Sequence, residues 1–235
     1  MRRRILRVIP AFVGSLLLAG CGSADAPAAP VASEAAASPK VARADGGRER
    51  SGELLNPENS AMVFLYYEWA GLTPPFDQWV ESDSRLQFAR PADKAALRTA
   101  LRAELESAAL AVRDVGFLRL TLEANLSEYD PAYGEFTVRA LAPSSVVSFE
   151  HFGEQVSLKF GNGRTAQIWR VPEAEARAVN DKLQRGYGTK LDVLLRIRSV
   201  QPAPGGGTLV TDVVEYELRE GRSHNTLARV QVAPQ

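Results

Sequence analysis

Apolar side chains recur along this chain with two different periods, and the change from one to the other falls at Gly116. Upstream the steps are three and four residues, the spacing that lines one face of a helix. Met62, Leu65, Tyr66 and Trp69 predict a first helix opened by Asn56-Pro57-Glu58-Asn59 and ended near Gly71. Thr73-Pro74-Pro75-Phe76-Asp77 reads as a turn into a short second helix carrying Trp79 and Val80. Pro91 stands at the first position of the longest helix, whose stripe is Leu97, Leu101, Leu105, Ala108, Val112 and Val115, with Gly116 as its C-terminal cap.

Downstream the period is two. Leu118, Leu120, Leu122, Ala124 and Leu126 alternate with Arg119, Thr121, Glu123 and Asn125, which predicts a strand with one buried and one wet face. Further strands are expected at about 135–141, 146–151, 155–160 and 164–170. The last two are joined as a hairpin by Gly161-Asn162-Gly163, with Val156, Leu158 and Phe160 on one face. Residues 172–185 predict an inserted helix, acidic at its start (Glu173, Glu175), basic at its end (Lys182, Arg185) and closed by Gly186. Two long strands follow, with Leu191, Val193, Leu195 and Ile197 inward on the first and Val210, Val214, Tyr216 and Leu218 inward on the second, after the Gly205-Gly206-Gly207 loop. A last strand spans 226–232. The fold class is α+β: a helical N-terminal third, about 57–115, packed on a curved antiparallel β-sheet or β-sandwich of seven to eight strands, about 117–233, with one inserted helix.

The chain ahead of this domain is of a different kind. Residues 22–53 are Ala, Pro, Ser, Gly and charge, with no aromatic side chain, the composition of a disordered tether. As a flexible coil it spans roughly 30 Å root-mean-square and about 100 Å fully extended. Before it come the basic start Met1-Arg2-Arg3-Arg4-Ile5-Leu6-Arg7 and an apolar run from Val8 through Ala19, broken only by Pro10, Gly14 and Ser15. That is the length of an export leader, not of a membrane span. The expected organisation is therefore a leader over 1–20, a tether over 21–53 and one α+β domain over 54–235. The leader ends in Leu18-Ala19-Gly20-Cys21, which contains the single cysteine of the chain.

This pattern resembles the lipobox of bacterial lipoproteins. The resemblance implies diacylglycerol on the Cys21 sulfur, cleavage between Gly20 and Cys21, and acylation of the new amine, with the lipid bilayer as the first partner. Two or three acyl chains suffice for stable anchoring, whereas one gives only reversible binding. By resemblance to the enterobacterial sorting rule, Gly22 in place of an aspartate points to the outer membrane, facing the periplasm; the inner membrane is the alternative. An ordinary secretory leader cut near Ala19 or Gly20, or an uncleaved N-terminal helix, is the other reading, and either exports the domain.

Charge narrows the list of partners. The leader holds four arginines and no acids, so the 28 basic residues of the whole chain fall to 24 against 28 acidic ones, a formal charge of −4. No basic cluster interleaved with aromatics remains, which argues against nucleic acid. With Cys21 acylated no thiol remains for a disulfide, so burial and sheet hydrogen bonds must hold the fold.

Candidate chemistry is sparse. The chain has no Gly-x-Ser-x-Gly elbow and no Ser-x-x-Lys, and its two histidines are His151, at a strand end beside Glu150, and His224, in a turn. Adjacent strand residues point to opposite faces, so Glu150 and His151 make no ready dyad. A metal site or cofactor is not expected, because Cys and His supply at most two ligands. Asp212 stands out: alternation through Val210, Val214 and Tyr216 turns its carboxylate inward, where an unpaired charge is costly. A β-bulge at 211–213, an arginine partner such as Arg196 or Arg198, or a functional acid would each account for it. The loop Glu128-Tyr129-Asp130-Pro131-Ala132-Tyr133-Gly134 sets two aromatics around an Asp-Pro turn, and Trp169 lies on the next expected hairpin with Gln167 and Arg170. Tyr129, Asp130, Tyr133 and Trp169 are the candidate binding surface, or else a cap on the sheet end. The expected function is an anchored envelope lipoprotein whose β-rich domain binds a protein, peptide or glycan. The alternative is a small envelope hydrolase using Asp130, Asp212 or His151.

Overall fold

The computed structural model describes residues 50–183 and 188–233. The lipobox residues Leu18, Ala19, Gly20 and Cys21, the stretch 22–49, and Arg185 and Gly186 lie outside the described residues. The fold is mixed α/β, with six α-helices and a seven-stranded sheet among the described residues. Its spine is a hairpin of two 15-residue strands, β7 (Thr189–Ala203) and β8 (Gly206–Glu220), paired antiparallel along their lengths. On the far side of β7 lies β2 (Val115–Glu123), antiparallel, and beyond it β1 (Gly52–Leu55), parallel. The far side of β8 is shared. Its first half pairs in parallel with β5 (Glu154–Phe160), which carries β4 (Val146–His151) as a hairpin, and its second half pairs antiparallel with β9 (Thr226–Gln231). A separate two-stranded sheet joins β3 (Glu135–Thr137) to β6 (Ile168–Arg170).

A helical N-terminal third is therefore not what the described chain shows. It opens with strand β1, two residues before the expected domain start, and the helices α1 (Asn59–Ala70), α2 (Phe76–Ser82), α3 (Ser84–Gln87) and α4 (Lys94–Ala111) form the crossover between β1 and β2. Parallel neighbours demand such a crossover, since no tight turn can connect them. Nor is the sheet all antiparallel, because two of its pairings, β1 with β2 and β5 with β8, are parallel. The expected cap Gly116 is instead inside β2, where a Cβ would lie 2.2 Å from the Arg50 carbonyl oxygen. That close approach, and not a helix end, is what requires glycine there. Helix α4 begins at Lys94 and is closed by Val112.

The first helix is apolar around most of its girth: Met62, Val63, Phe64, Leu65, Tyr66 and Tyr67 are all buried, and not only the expected stripe. A helix buried all round must be covered on two sides. Here α1 packs on β4, β5, β7 and β8 beneath and on α4 above. Trp79 of α2 completes an aromatic cluster with Phe64 (ring centroids 5.7 Å apart), Tyr67 (5.4 Å) and Phe152, on which it stacks at 4.3 Å. Val80, Leu86 and Leu101, with Leu97 and Leu105 against them, make a second, smaller core among α2, α3 and α4.

The tightest hairpin is β4–β5, not the one expected at 161–163. Its turn residues Phe152 and Gly153 both have positive φ, 55° and 77°, as a two-residue primed turn requires. Asn-Gly is the usual pair there; Phe152 takes the strained conformation while its ring lies on Trp79. Gly161-Asn162-Gly163 leads instead into α5 (Gly163–Ala166), and a Cβ on Gly163 would lie 2.5 Å from the Leu141 carbonyl oxygen. The stretch 135–141 is β3 followed by a 3-10 turn, Arg139–Leu141. The expected inserted helix is α6 (Glu173–Leu183), so the segment between β2 and β7 holds two short helical pieces besides it.

Two irregularities set which side chains of the spine face the core. Leu195 pairs with Val213 and Leu194 with Glu215, which leaves Val214 as an extra residue; Ile197 pairs with Thr211 and Ser199 with Val210, which leaves Arg198 extra. Each bulge reverses the alternation beyond it. Before Val214 the buried residues of β8 are Leu209, Thr211 and Val213; after it they are Tyr216 and Leu218. Val210 and Val214 therefore do not face inward. The bulge is clamped by the buried Asn162 side chain, which accepts from the Val213 N–H and donates to the Val213 carbonyl, both at 2.8 Å.

Candidate functional site

The two-stranded sheet carries the loop residues singled out above. Phe136 of β3 is fully buried, and Trp169 of β6 stacks on it with ring centroids 5.0 Å apart. Tyr129 tilts against the same ring at 5.2 Å and donates its hydroxyl to the Val171 carbonyl at 3.2 Å. Trp169 is only 6 % exposed. Asp130 organises the turn: its carboxylate accepts from the Ala132 N–H at 2.9 Å, and its backbone carbonyl accepts from Gly134 at 2.8 Å. On this ordered turn Tyr133 stands 74 % exposed. Of the four residues, two aromatics are thus turned into the small sheet, Asp130 shapes the loop, and Tyr133 is presented outward.

Asp130, His151 and Asp212 lie on three separate elements, and no hydrogen bond or ion pair joins any two of them among the described residues. His151, at the end of β4, is exposed and meets the edge of the Phe152 ring at 4.1 Å. His224 sits exposed in the β8–β9 turn with φ 57°. The Val214 bulge frees Asp212 from the inward course that uninterrupted alternation implied, and it pairs with the extra residue Arg198 at 3.0 Å. Its second oxygen, Oδ1, is buried without a hydrogen-bond partner. Among the described residues no group of three or more His, Cys, Asp or Glu side chains is placed to hold a metal ion.

What the sequence reading missed lies around β9. Two clefts flank this strand, and Arg229, Val230 and Gln231 line both. The first, about 330 Å³, lies on the polar face of the sheet. Arg219 there bonds Asp192 at 3.1 Å and Glu217 at 3.0 Å, Arg229 reaches Glu217 at 3.2 Å, and Arg119 spans Glu53 at 2.8 Å and Glu215 at 3.7 Å. The Thr226 hydroxyl and then Arg219 hold the Glu217 carboxyl below its ordinary range, and the Glu53 carboxylate raises the Arg119 guanidinium. The second cleft, about 640 Å³, lies between β9 and β6 and is lined by Arg164, Thr165, Ile168, Trp169 and Arg170 besides the shared residues. It holds three arginines and no acidic residue. Arg164, Arg170 and Arg229 are separated along the chain, so no local run of basic residues announces them.

Comparison with known proteins adds no relative: no family model matches the chain, and no curated protein or solved structure matches it significantly. No helix among the described residues is long and apolar enough to cross a membrane.

Proposed function

We propose that this is a lipid-anchored protein of the bacterial cell envelope whose α/β domain works by binding a partner protein, peptide or glycan. The leader and the box Leu18-Ala19-Gly20-Cys21 support the anchor, by resemblance to lipoproteins. The observation that carries the binding role is Tyr133, an aromatic side chain held 74 % exposed on a turn whose backbone is fixed by Asp130. A rigid exposed aromatic offers large contact area at little entropic cost. The stretch 22–49 serves as the tether that lets the domain, which begins by strand β1, reach its partner, and the anchor lies in the outer membrane, facing the periplasm.

Metabolic labelling with an alkyne fatty acid tests the anchor, with label expected on the wild type and none on Cys21→Ala. An unlabelled wild type overturns it. Sucrose-gradient separation of the membranes checks the address, and recovery with the inner membrane overturns the outer-membrane assignment. A photo-crosslinking residue in place of Tyr133, in intact cells, should give a discrete adduct to an envelope component that a crosslinker on exposed Glu175 of α6 does not. Identical adducts, or none, overturn the binding role at this turn.

A further inference from the structure

Strands β6 and β9 each pair on one side only, β6 with β3 and β9 with β8. The direction of their remaining backbone groups follows from the ladders. Val138 donates to the Gln167 carbonyl and Val171 to the Gly134 carbonyl, so alternation turns the N–H and C=O groups of Ile168 and Arg170 away from β3. Val232 donates to the Val214 carbonyl, one step beyond the Glu215–Gln231 pair, so the backbone groups of Arg229 and Gln231 point away from β8. Ile168, Arg170, Arg229 and Gln231 all line the one 640 Å³ cleft. Two open strand edges therefore border a common space.

An open edge is a template for another strand, and native edges are closed, covered or filled. The walls say what kind of strand fits. Arg164 is exposed and makes no ion pair among the described residues; the Arg170 side chain is 80 % exposed and holds Glu135 at a long 3.4 Å; the Arg229 side chain is 77 % exposed and holds Glu217 of the polar face at 3.2 Å. With no acid in the lining, these charges select an anionic occupant, while Ile168, Trp169 and Val230 offer apolar contact.

We propose that the cleft between β6 and β9 binds an extended acidic peptide segment of a partner protein as an added strand, which joins the small sheet to the large one. Backbone groups of Ile168, Arg170, Arg229 and Gln231 pair with the peptide main chain; Arg164, Arg170 and Arg229 meet its carboxylates. This assignment rests on the partner-binding role proposed above and names the partner's chemistry.

The test uses the full chain in detergent micelles and a fluorescein-labelled octapeptide of alternating valine and glutamate, read by anisotropy. The peptide should bind. A valine–lysine counterpart should not, and methylation of alternate backbone nitrogens should weaken binding about tenfold or more, which a purely ionic contact would not show. The double variant Arg164→Glu/Arg229→Glu should lose about tenfold or more, and Arg170→Gln less, each with the cooperative thermal transition retained at most a few degrees below the wild type. Equal binding of the lysine peptide, indifference to N-methylation or to the arginine changes, or no binding of the acidic peptide overturns the proposal. So does binding of phosphatidylglycerol vesicles through the same arginines without the peptide, since it would make the cleft a lipid-headgroup site. A partner crosslinked at Tyr133 despite failure of the peptide would leave the binding role standing and remove only this cleft from it.

Discussion

The two clefts beside β9 contain the same number of arginines, but the lining of one is balanced by three acids and that of the other holds none. On the polar face, Arg119, Arg219 and Arg229 meet Asp192, Glu215 and Glu217, so each cation has a carboxylate within 4 Å and the array is closed on itself. Exposed pairs of this kind add little stability one by one, on the order of 0–1 kcal/mol each. Around the corner, Arg164 and Arg170 join Arg229 with no acid in the lining. Compensated charge gives solubility and a defined surface; Arg164 without an ion pair among the described residues, with Arg170 and Arg229 held by single carboxylates at 3.4 and 3.2 Å outside the lining, gives a positive wall beside open backbone groups and affinity for something else. The contrast depends on the bulge at Val214. Strict alternation from Leu209, Thr211 and Val213 would send Glu215, Glu217 and Arg219 into the core, and the extra residue turns them outward.

The largest effect should come from breaking the spine that both clefts share. Leu195 is fully buried opposite Val213, so Leu195→Asp places an unpaired carboxylate in the core at a cost of several kcal/mol, against a usual total of about 5–15. Loss of the cooperative thermal transition is expected; a variant melting within a few degrees of the wild type would refute the burial. Next is Asn162→Ala. It leaves the buried N–H and C=O of Val213 unpaired, at about 1–3 kcal/mol for each such group. The bulge should loosen with it, and hydrogen exchange at Val213 should accelerate more than at Leu120 of β2. Equal acceleration at both sites would mean that Asn162 supports only global stability.

Much of the fold was legible because burial has a period. The alternation at Leu118 and Leu120, the start of α6 just after Pro172, and the inward set Leu191, Val193, Leu195 and Ile197 all reappear in the structure. The errors have local causes. Reading backward from Tyr216 and Leu218 gave Val210 and Val214 the wrong face, because one extra residue erases phase information and leaves no mark in composition. The Phe152-Gly153 turn escaped notice because its positive φ sits on a phenylalanine that stacks on a tryptophan 73 positions earlier in the chain. Gly161-Asn162-Gly163 looked like a hairpin turn because Asn162 favours turns, whereas its amide is used across the fold on Val213. The basic cleft was illegible for a similar reason: Arg164 and Arg170 lie on one segment and Arg229 on another, and only pairing order brings them together.

The smallest expected effect tests whether the polar-face array is as closed as its geometry indicates. Glu217 accepts from Thr226, Arg219 and Arg229, and these partners hold its carboxyl below the ordinary glutamate value of 4.5. A folded-state value below the unfolded one contributes stability that is complete above about pH 4.5 and is lost as pH falls through the lowered value. Glu217→Gln removes that contribution. The variant should therefore melt slightly below the wild type at pH 7, and the two should converge in acid once Glu217 is protonated in both states. High salt should shrink the difference at pH 7, because these charges are near solvent. The same substitution also frees Arg229 from its carboxylate on the polar face, so acidic-peptide binding in the neighbouring cleft should hold or strengthen. Melting curves at pH 3 and pH 7, with and without 1 M NaCl, check the first part, and peptide anisotropy checks the second. A stability gap that widens in acid would show that Glu217 is destabilised by its neighbours, and weakened peptide binding would show that the two clefts act as one charged surface.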